Sequence, residues 1–199
     1  MSSPRVDGRS LRFQHRRPEL LAAAAEYVLD HGVTDLSLRP VAQALGVTHA
    51  TLLRHFSSKE ELIMAVGEKI RADLAVRLTS DGELHGARSM ADLFKEMWNR
   101  LCEPREQRQF LVLFELVTHY GRKRDPETDL AQSLVHDWVR LLADRLITEG
   151  WPPEDATALA TLLLAQVRGL QLDLLVSGDR TRADRAIEFA ARLLDRPTA

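Results

Sequence analysis

The chain is predicted to be all-α, with a compact three-helix unit at its N-terminus followed by a larger helical layer, about nine helices in all. Three observations carry this. Apolar residues recur at i, i+3, i+4 and i+7, capping residues and glycines bracket the segments that show this spacing, and the alternating pattern of a half-buried strand is nearly absent. A composition of 45% hydrophobic and 28% charged residues in 199 is that of a soluble globular protein rather than a disordered one.

The first helix is read from Pro18, a good first-turn residue, to His31, with Leu21, Ala24, Ala25 and Val28 on its buried face and Gly32 as its cap. Ser37 caps a short helix over 38–45, which Gly46 ends; Thr48 caps another over 49–55. Leu36 with Val41 and Val47 with Leu52 are placed as hydrophobic staples, and Ser58 with Glu61 forms an S-x-x-E capping box that opens a long helix to about Leu78. The glycine-containing stretch 79–88 joins two layers. Beyond it, helices are expected from Ser89 to about Glu103, from Pro104 to about Tyr120, from Asp125-Pro126-Glu127 to near Gly150, over roughly 154–177, and from Thr181 to before Pro197. The domain reading is therefore a basic flexible arm (1–16), a three-helix domain (17–57), a connecting helix (58–79) and a C-terminal domain (80–199).

Charge is distributed unevenly behind a net value of −2. Residues 1–17 carry Arg5, Arg9, Arg12, Arg16 and Arg17 against Asp7 alone, while residues 80–199 hold 16 basic and 20 acidic groups. A basic start on an acidic remainder suits a chain with one end turned to phosphate. No run of about 18 apolar residues marks a membrane span. The Arg-rich start lacks the apolar stretch of a secretory signal. A single cysteine, Cys102, fits a core position in a cytoplasmic protein.

The informative unit is the pair of short helices broken at Gly46-Val47-Thr48, with 18–31 as a third wall. In a helix-turn-helix the second helix enters the major groove, which requires a tight turn and a face without bulky apolar groups. Thr48, His49, Ala50, Thr51 and Arg54 offer such a face, and Leu52, Leu53 and Phe56 are available for packing. The run Leu36-Ser37-Leu38-Arg39-Pro40-Val41-Ala42-Gln43-Ala44-Leu45-Gly46-Val47-Thr48-His49-Ala50-Thr51-Leu52-Leu53-Arg54-His55-Phe56-Ser57-Ser58-Lys59-Glu60-Glu61-Leu62 resembles the N-terminal domain of the TetR family of repressors. The resemblance implies a homodimeric one-component regulator of palindromic operator DNA, with C-terminal helices that form a ligand pocket and a dimer interface. It also exposes a departure: Leu53 stands where the family usually has a phosphate-contacting Tyr.

DNA contacts are accordingly expected from Arg16, Arg17, Ser37, Arg39, Thr48, His49, Ala50, Thr51, Arg54, His55 and Lys59. Thr48 and the N–H groups of its helix suit phosphate, and the Ala50 and Thr51 methyls suit a thymine methyl. The arm suits the adjoining minor groove.

In the C-terminal half, 154–177 is apolar nearly all round, so one side packs on its own domain and another on a second subunit. Leu162, Ala165, Gly169 and Leu172, with Phe189 of the last helix, are the expected dimer contacts. The resemblance places an effector pocket among Phe94, Met97, Trp98, Leu101, Phe110, Phe114, Val117, Tyr120, Trp138 and Gln166, with Asn99, His119 and His136 as further polar candidates. The helical spacing of Phe94, Trp98 and Leu101 equally fits plain core. No zinc-protease, phosphate-loop or nucleophile-elbow motif is present, so neither an enzyme nor a metal or cofactor carrier is expected. The competing reading is a helical protein-interaction module that has lost DNA binding.

Overall fold

The computed structural model describes residues 8–82, 86–120 and 130–194. Among these residues there are helices and no strands: α1 Gly8–His31, α2 Leu38–Ala44, α3 His49–His55, α4 Lys59–Ser80, α5 Met90–Leu101, α6 Pro104–Tyr120, α7 Leu130–Thr148, α8 Pro153–Ser177 and α9 Arg180–Leu194. The expected helix starts at Asp125-Pro126-Glu127 and the stop at Pro197 lie outside the described residues. Two compact units form. One holds α1–α3, α4 as far as Ala72 and α6 from Leu111; the other holds the rest of α4 and α6 with α5, α7, α8 and α9. The division thus falls inside α4 and α6 rather than at residues 57 and 79.

In the first unit, α1 buries Leu20, Ala24, Ala25, Val28 and Leu29 along one stripe, with Leu21 only half-buried. The helix starts well before the expected Pro18, so residues 8–16, expected in a flexible arm, are helical; Arg5 lies outside the described residues. Pro18 removes one backbone donor from the helix. It sits on the exposed side, where water can serve the Gln14 carbonyl, and the arginines around it are good helix formers. At the other end Glu115 of α6 accepts a hydrogen bond from the Val33 N–H at 3.1 Å.

The second unit is built on one apolar cluster: Phe94, Met97, Trp98 and Leu101 of α5, Leu142 and Leu146 of α7, Ala160, Leu163 and Val167 of α8, and Ala183 and Ile187 of α9. Trp98 is buried there at 1% exposure, and its indole N–H donates to Asp184 at 2.7 Å. A buried indole needs such a partner. Arg180 holds the same carboxylate at 2.5 Å and donates to Asn99 at 3.1 Å, which fixes the start of α9 against α5. The N-terminus of α5 is closed twice: Ser89 Oγ accepts from Asp92 N at 3.1 Å and Glu149 from Met90 N at 3.0 Å.

Helix α8 has two unlike faces. Ala156, Ala160, Leu163, Leu164, Val167, Gln171 and Leu174 are buried, whereas Leu162, Ala165, Gly169, Leu172 and Val176 are exposed. By length and composition α8 is apolar enough to cross a membrane, contrary to the sequence expectation. Its packed face joins the core cluster, and Arg168, Gln171 and Asp173 interrupt it, as in the core helix of a globular domain.

Candidate nucleic-acid interface

The turn between α2 and α3 is a complete helix stop. The Gly46 N–H donates to the Gln43 carbonyl at 3.1 Å and the Val47 N–H to the Ala42 carbonyl at 2.9 Å, the pair of bonds that closes a Schellman motif. Gly46 sits at φ 66°, the left-handed conformation this motif requires. Nothing lies within 4 Å of where a Cβ would stand. The demand for glycine is therefore conformational rather than steric. Gly46→Ala is expected to destabilise the protein by about 1–2 kcal/mol, read as a lower urea midpoint with an unchanged m-value; no change would mean that the turn tolerates a right-handed residue.

Thr48 then caps α3: its hydroxyl accepts from the Thr51 N–H at 3.1 Å and lies 2.9 Å from the Thr51 hydroxyl. The two hydroxyls engage each other, and either can be the donor. Leu52 and Phe56 are fully buried, which leaves the opposite surface of α3 to solvent. His49, Ala50 and Arg54 are exposed there, with Thr48 at the rim; Thr51 and Leu53 are half-buried. Ser37, at the N-cap of α2, forms no side-chain cap bond, and it is exposed together with Arg39 and Arg16. Lys59, first residue of α4, is half-buried. The surface is polar, cationic and free of large apolar groups, which suits a major groove and its phosphates.

Two expected contacts belong elsewhere. His55 lies at i+3 from Leu52, on the packed face, and is buried at 6% exposure. Burial first, and then the guanidiniums of Arg16, Arg54 and Arg17, push its ring below the ordinary histidine range. A neutral, buried imidazole supplies no cation for a phosphate. Arg17 is exposed but bonded within the protein: Nε donates to the His55 carbonyl at 3.2 Å, Nη2 pairs with Glu61 at 3.3 Å, and the guanidinium lies 4.9 Å from the centre of the Phe56 ring.

Glu61 completes this bracket, and the sequence did not mark it as functional. Its backbone N–H donates to Ser58 Oγ at 3.0 Å, the expected half of the capping box. The return bond is shifted by one residue, because Glu61 Oε2 accepts from the Ser57 N–H at 2.9 Å. The Ser57 hydrogen bond is the first cause holding the Glu61 carboxyl below its usual range, with Arg17 adding to it. The signal available beforehand was the acid at the third residue of the helix, the E of S-x-x-E itself; its tie to Arg17 spans 44 residues and no local pattern reports it.

The expected pocket residues divide. Phe94, Met97, Trp98 and Leu101 are buried in the core cluster with Trp138 packed against it, and Phe110 is half-buried. Phe114, Val117 and Gln166 are at the surface, Phe114 at 41% and Val117 at 37% exposure. Helical spacing gave Phe114 and Val117 a common face, and that face is largely exposed. The side chains of Tyr120 and His119 lie outside the described residues; Asn99 belongs to the α5–α9 tie, and His136 is exposed. Among the described residues no group of three metal-ligating side chains comes together.

The profile of the family described as "Bacterial regulatory proteins, tetR family" matches residues 20–66, which span the second half of α1, α2, the glycine turn, α3 and the start of α4. The chain is 28% identical over 171 residues to the nucleoid occlusion factor SlmA of Vibrio cholerae, covering 78% of this chain and 81% of that protein. It is 24% identical over 192 residues to the HTH-type transcriptional regulator CymR of Pseudomonas putida, covering 92% and 91%. The multidrug binding protein EbrR, solved with imidazole, shares the fold at a TM-score of 0.65 and 19% identity, covering 93% of each chain. Residues 20–66 thus carry the helix-turn-helix domain of the tetR family of bacterial regulatory proteins, and over most of its length the chain is similar to a transcriptional regulator of the helix-turn-helix type.

Proposed function

We propose that the protein is a cytoplasmic repressor that binds a palindromic operator as a homodimer and is released from it by a small, largely apolar ligand. The observation that carries the reading is the exposed apolar stripe of α8, Leu162, Ala165, Gly169, Leu172 and Val176, with Phe189 and Leu193 exposed on α9. The spacing of three and four residues along α8 is that of a helix seam. Small residues at its centre permit a close two-fold crossing. Two copies joined there carry two α3 surfaces, and a two-fold pair of reading helices about 34 Å apart, or a multiple of it, matches a palindrome.

Support for ligand release comes from the likeness to the TetR family and from EbrR, a structural neighbour solved with imidazole. A ligand shifts DNA occupancy only if it binds the DNA-free arrangement better than the DNA-competent one. The exposed face of α3 favours this over an interaction module without DNA. The test is binding to genomic DNA fragments as a function of salt, followed by footprinting of the retained site. A DNA binder that neutralises several phosphates loses affinity with a log–log slope of about −0.9 per phosphate. Thr51→Ala and Lys59→Ala are each expected to lower operator affinity by a few fold without unfolding the dimer, Lys59→Ala also flattening the slope by about one. A flat salt dependence in the wild type would leave the interaction module as the better reading.

A further inference from the structure

We propose that one face of α1 ahead of Pro18 is an arginine ridge, Arg9, Arg12 and Arg16, which lies along the phosphates flanking each DNA half-site and does not enter the minor groove. The inference deepens the DNA-binding reading above and rests on it. Between Gly8 and Pro18 the sequence holds four arginines and no acid. The chain is helical from Gly8, so these arginines are not strung along a free arm. Positions 9, 12 and 16 follow one another at three and four residues, the spacing of a single helix face. Position 17 falls elsewhere, three and seven residues before the buried Leu20 and Ala24, and Arg17 bonds there to the His55 carbonyl and Glu61. The helix thus sets one structural arginine apart from a row of three others. Arg16, the last of the row, is exposed, and its charge is among those that hold the His55 ring below the ordinary range. The row therefore ends beside the last turn of α3.

Geometry decides what such a row can reach. An α-helix with its side chains is about 10–12 Å across, whereas the minor groove is about 6 Å wide. The arm expected from the sequence would fit that groove as an extended strand; as a helix it does not. Positions 9 and 16 stand about 10 Å apart along the helix axis. Over that length one strand of a duplex carries about three phosphates. Three guanidiniums at fixed spacing match them, and little ordering of the backbone is left to occur on binding. Contacts to phosphate position a protein and carry no sequence information. The ridge therefore lengthens the bound site without lengthening the sequence that is read.

The experiment is the salt dependence of binding by the full chain to two duplexes: the footprinted site with long flanks on both sides, and the same site cut at the outer edges of its half-sites. On the long duplex, Arg9→Gln combined with Arg12→Gln is expected to flatten log K against log salt by about 1.8 per subunit. On the trimmed duplex wild type and variant should coincide. Gln14→Pro keeps every arginine but breaks the helix that aligns them, so its slope should fall toward that of the double variant. Exchanging A·T for G·C pairs in the flanks should leave wild-type affinity within about twofold, since phosphates are common to both. A tenfold preference for A·T flanks would return the arm to the minor groove and overturn the ridge. A wild-type slope in Gln14→Pro would show that a free arm suffices. An unchanged slope in the double variant would show that these arginines meet no phosphate, and a difference that persists on the trimmed duplex would place them over the half-site itself. Each of these results overturns the proposal and leaves the DNA-binding reading standing on the remaining salt slope. A wild type that binds neither duplex, or binds without regard to salt, overturns both.

Discussion

Arg17→Ala is expected to weaken operator binding about tenfold while leaving the salt slope of binding unchanged. The reason is what Arg17 touches. Its Nε bond to the His55 carbonyl satisfies the last turn of α3, its Nη2 pairs with Glu61 at the start of α4, and its guanidinium covers the Phe56 ring between them. One side chain of α1 thereby sets where α3 ends and where α4 begins. A charged hydrogen bond to a carbonyl contributes about 1.5 kcal/mol or more and the ring contact about 0.5–1. The Glu61 pair is half-exposed, so screening leaves it only about 0.5. Together these predict a stability loss of about 2–3 kcal/mol, readable in urea.

The salt slope decides between two roles. A guanidinium that meets a phosphate releases a counterion, so its loss flattens log K against log salt by about 0.9. A guanidinium that only holds α3 in place lowers affinity at every salt concentration alike. Arg54→Ala and Arg39→Ala, both exposed beside α3, should flatten the slope; Arg17→Ala should not. Glu61→Gln should reproduce part of the Arg17 loss, and the double variant should fall short of the sum, because the two residues act through one contact. A flattened slope in Arg17→Ala would return this residue to the phosphate-contacting set.

What the sequence disclosed here was local. The caps at Ser37, Thr48, Ser58 and Ser89, the glycine stop at Gly46 and the start of α6 at Pro104 all depend on residues within a turn of one another, and the helices begin and end there. What it concealed depends on distant contacts. Pro18 resembled a helix start, yet α1 runs through it, since a proline on a solvated side removes only one bond. Arg17 resembled one more DNA-contacting arginine of the basic start because its partners lie 38 and 44 residues away. His55 was legible in principle: it shares the i, i+3, i+4 face of Leu52 and Phe56, and periodicity places it inward. Phe114 and Val117 show the opposite error, for a helical stripe says which residues share a face and not whether anything covers it.

The exposed stripe of α8 turns that ambiguity into the largest expected effect. Leu162 and Leu172 are 62% and 40% exposed and lie outside the core cluster, so a charge there leaves the protomer's packing intact. In a two-fold interface each substitution appears twice, and each copy faces the partner's own apolar stripe. Burying an unpaired carboxylate costs several kcal/mol, whereas burying a leucine stabilises by about 1.5–3. Leu162→Glu combined with Leu172→Glu is therefore expected to sediment as a monomer at micromolar concentration with its helical signal retained. Operator affinity should fall about 10²–10⁴-fold, because the second reading head no longer binds as a tethered partner. Conversely, a double variant that remains dimeric would place the subunit contact on another surface, and the two α3 helices would then have no fixed relation to a palindrome.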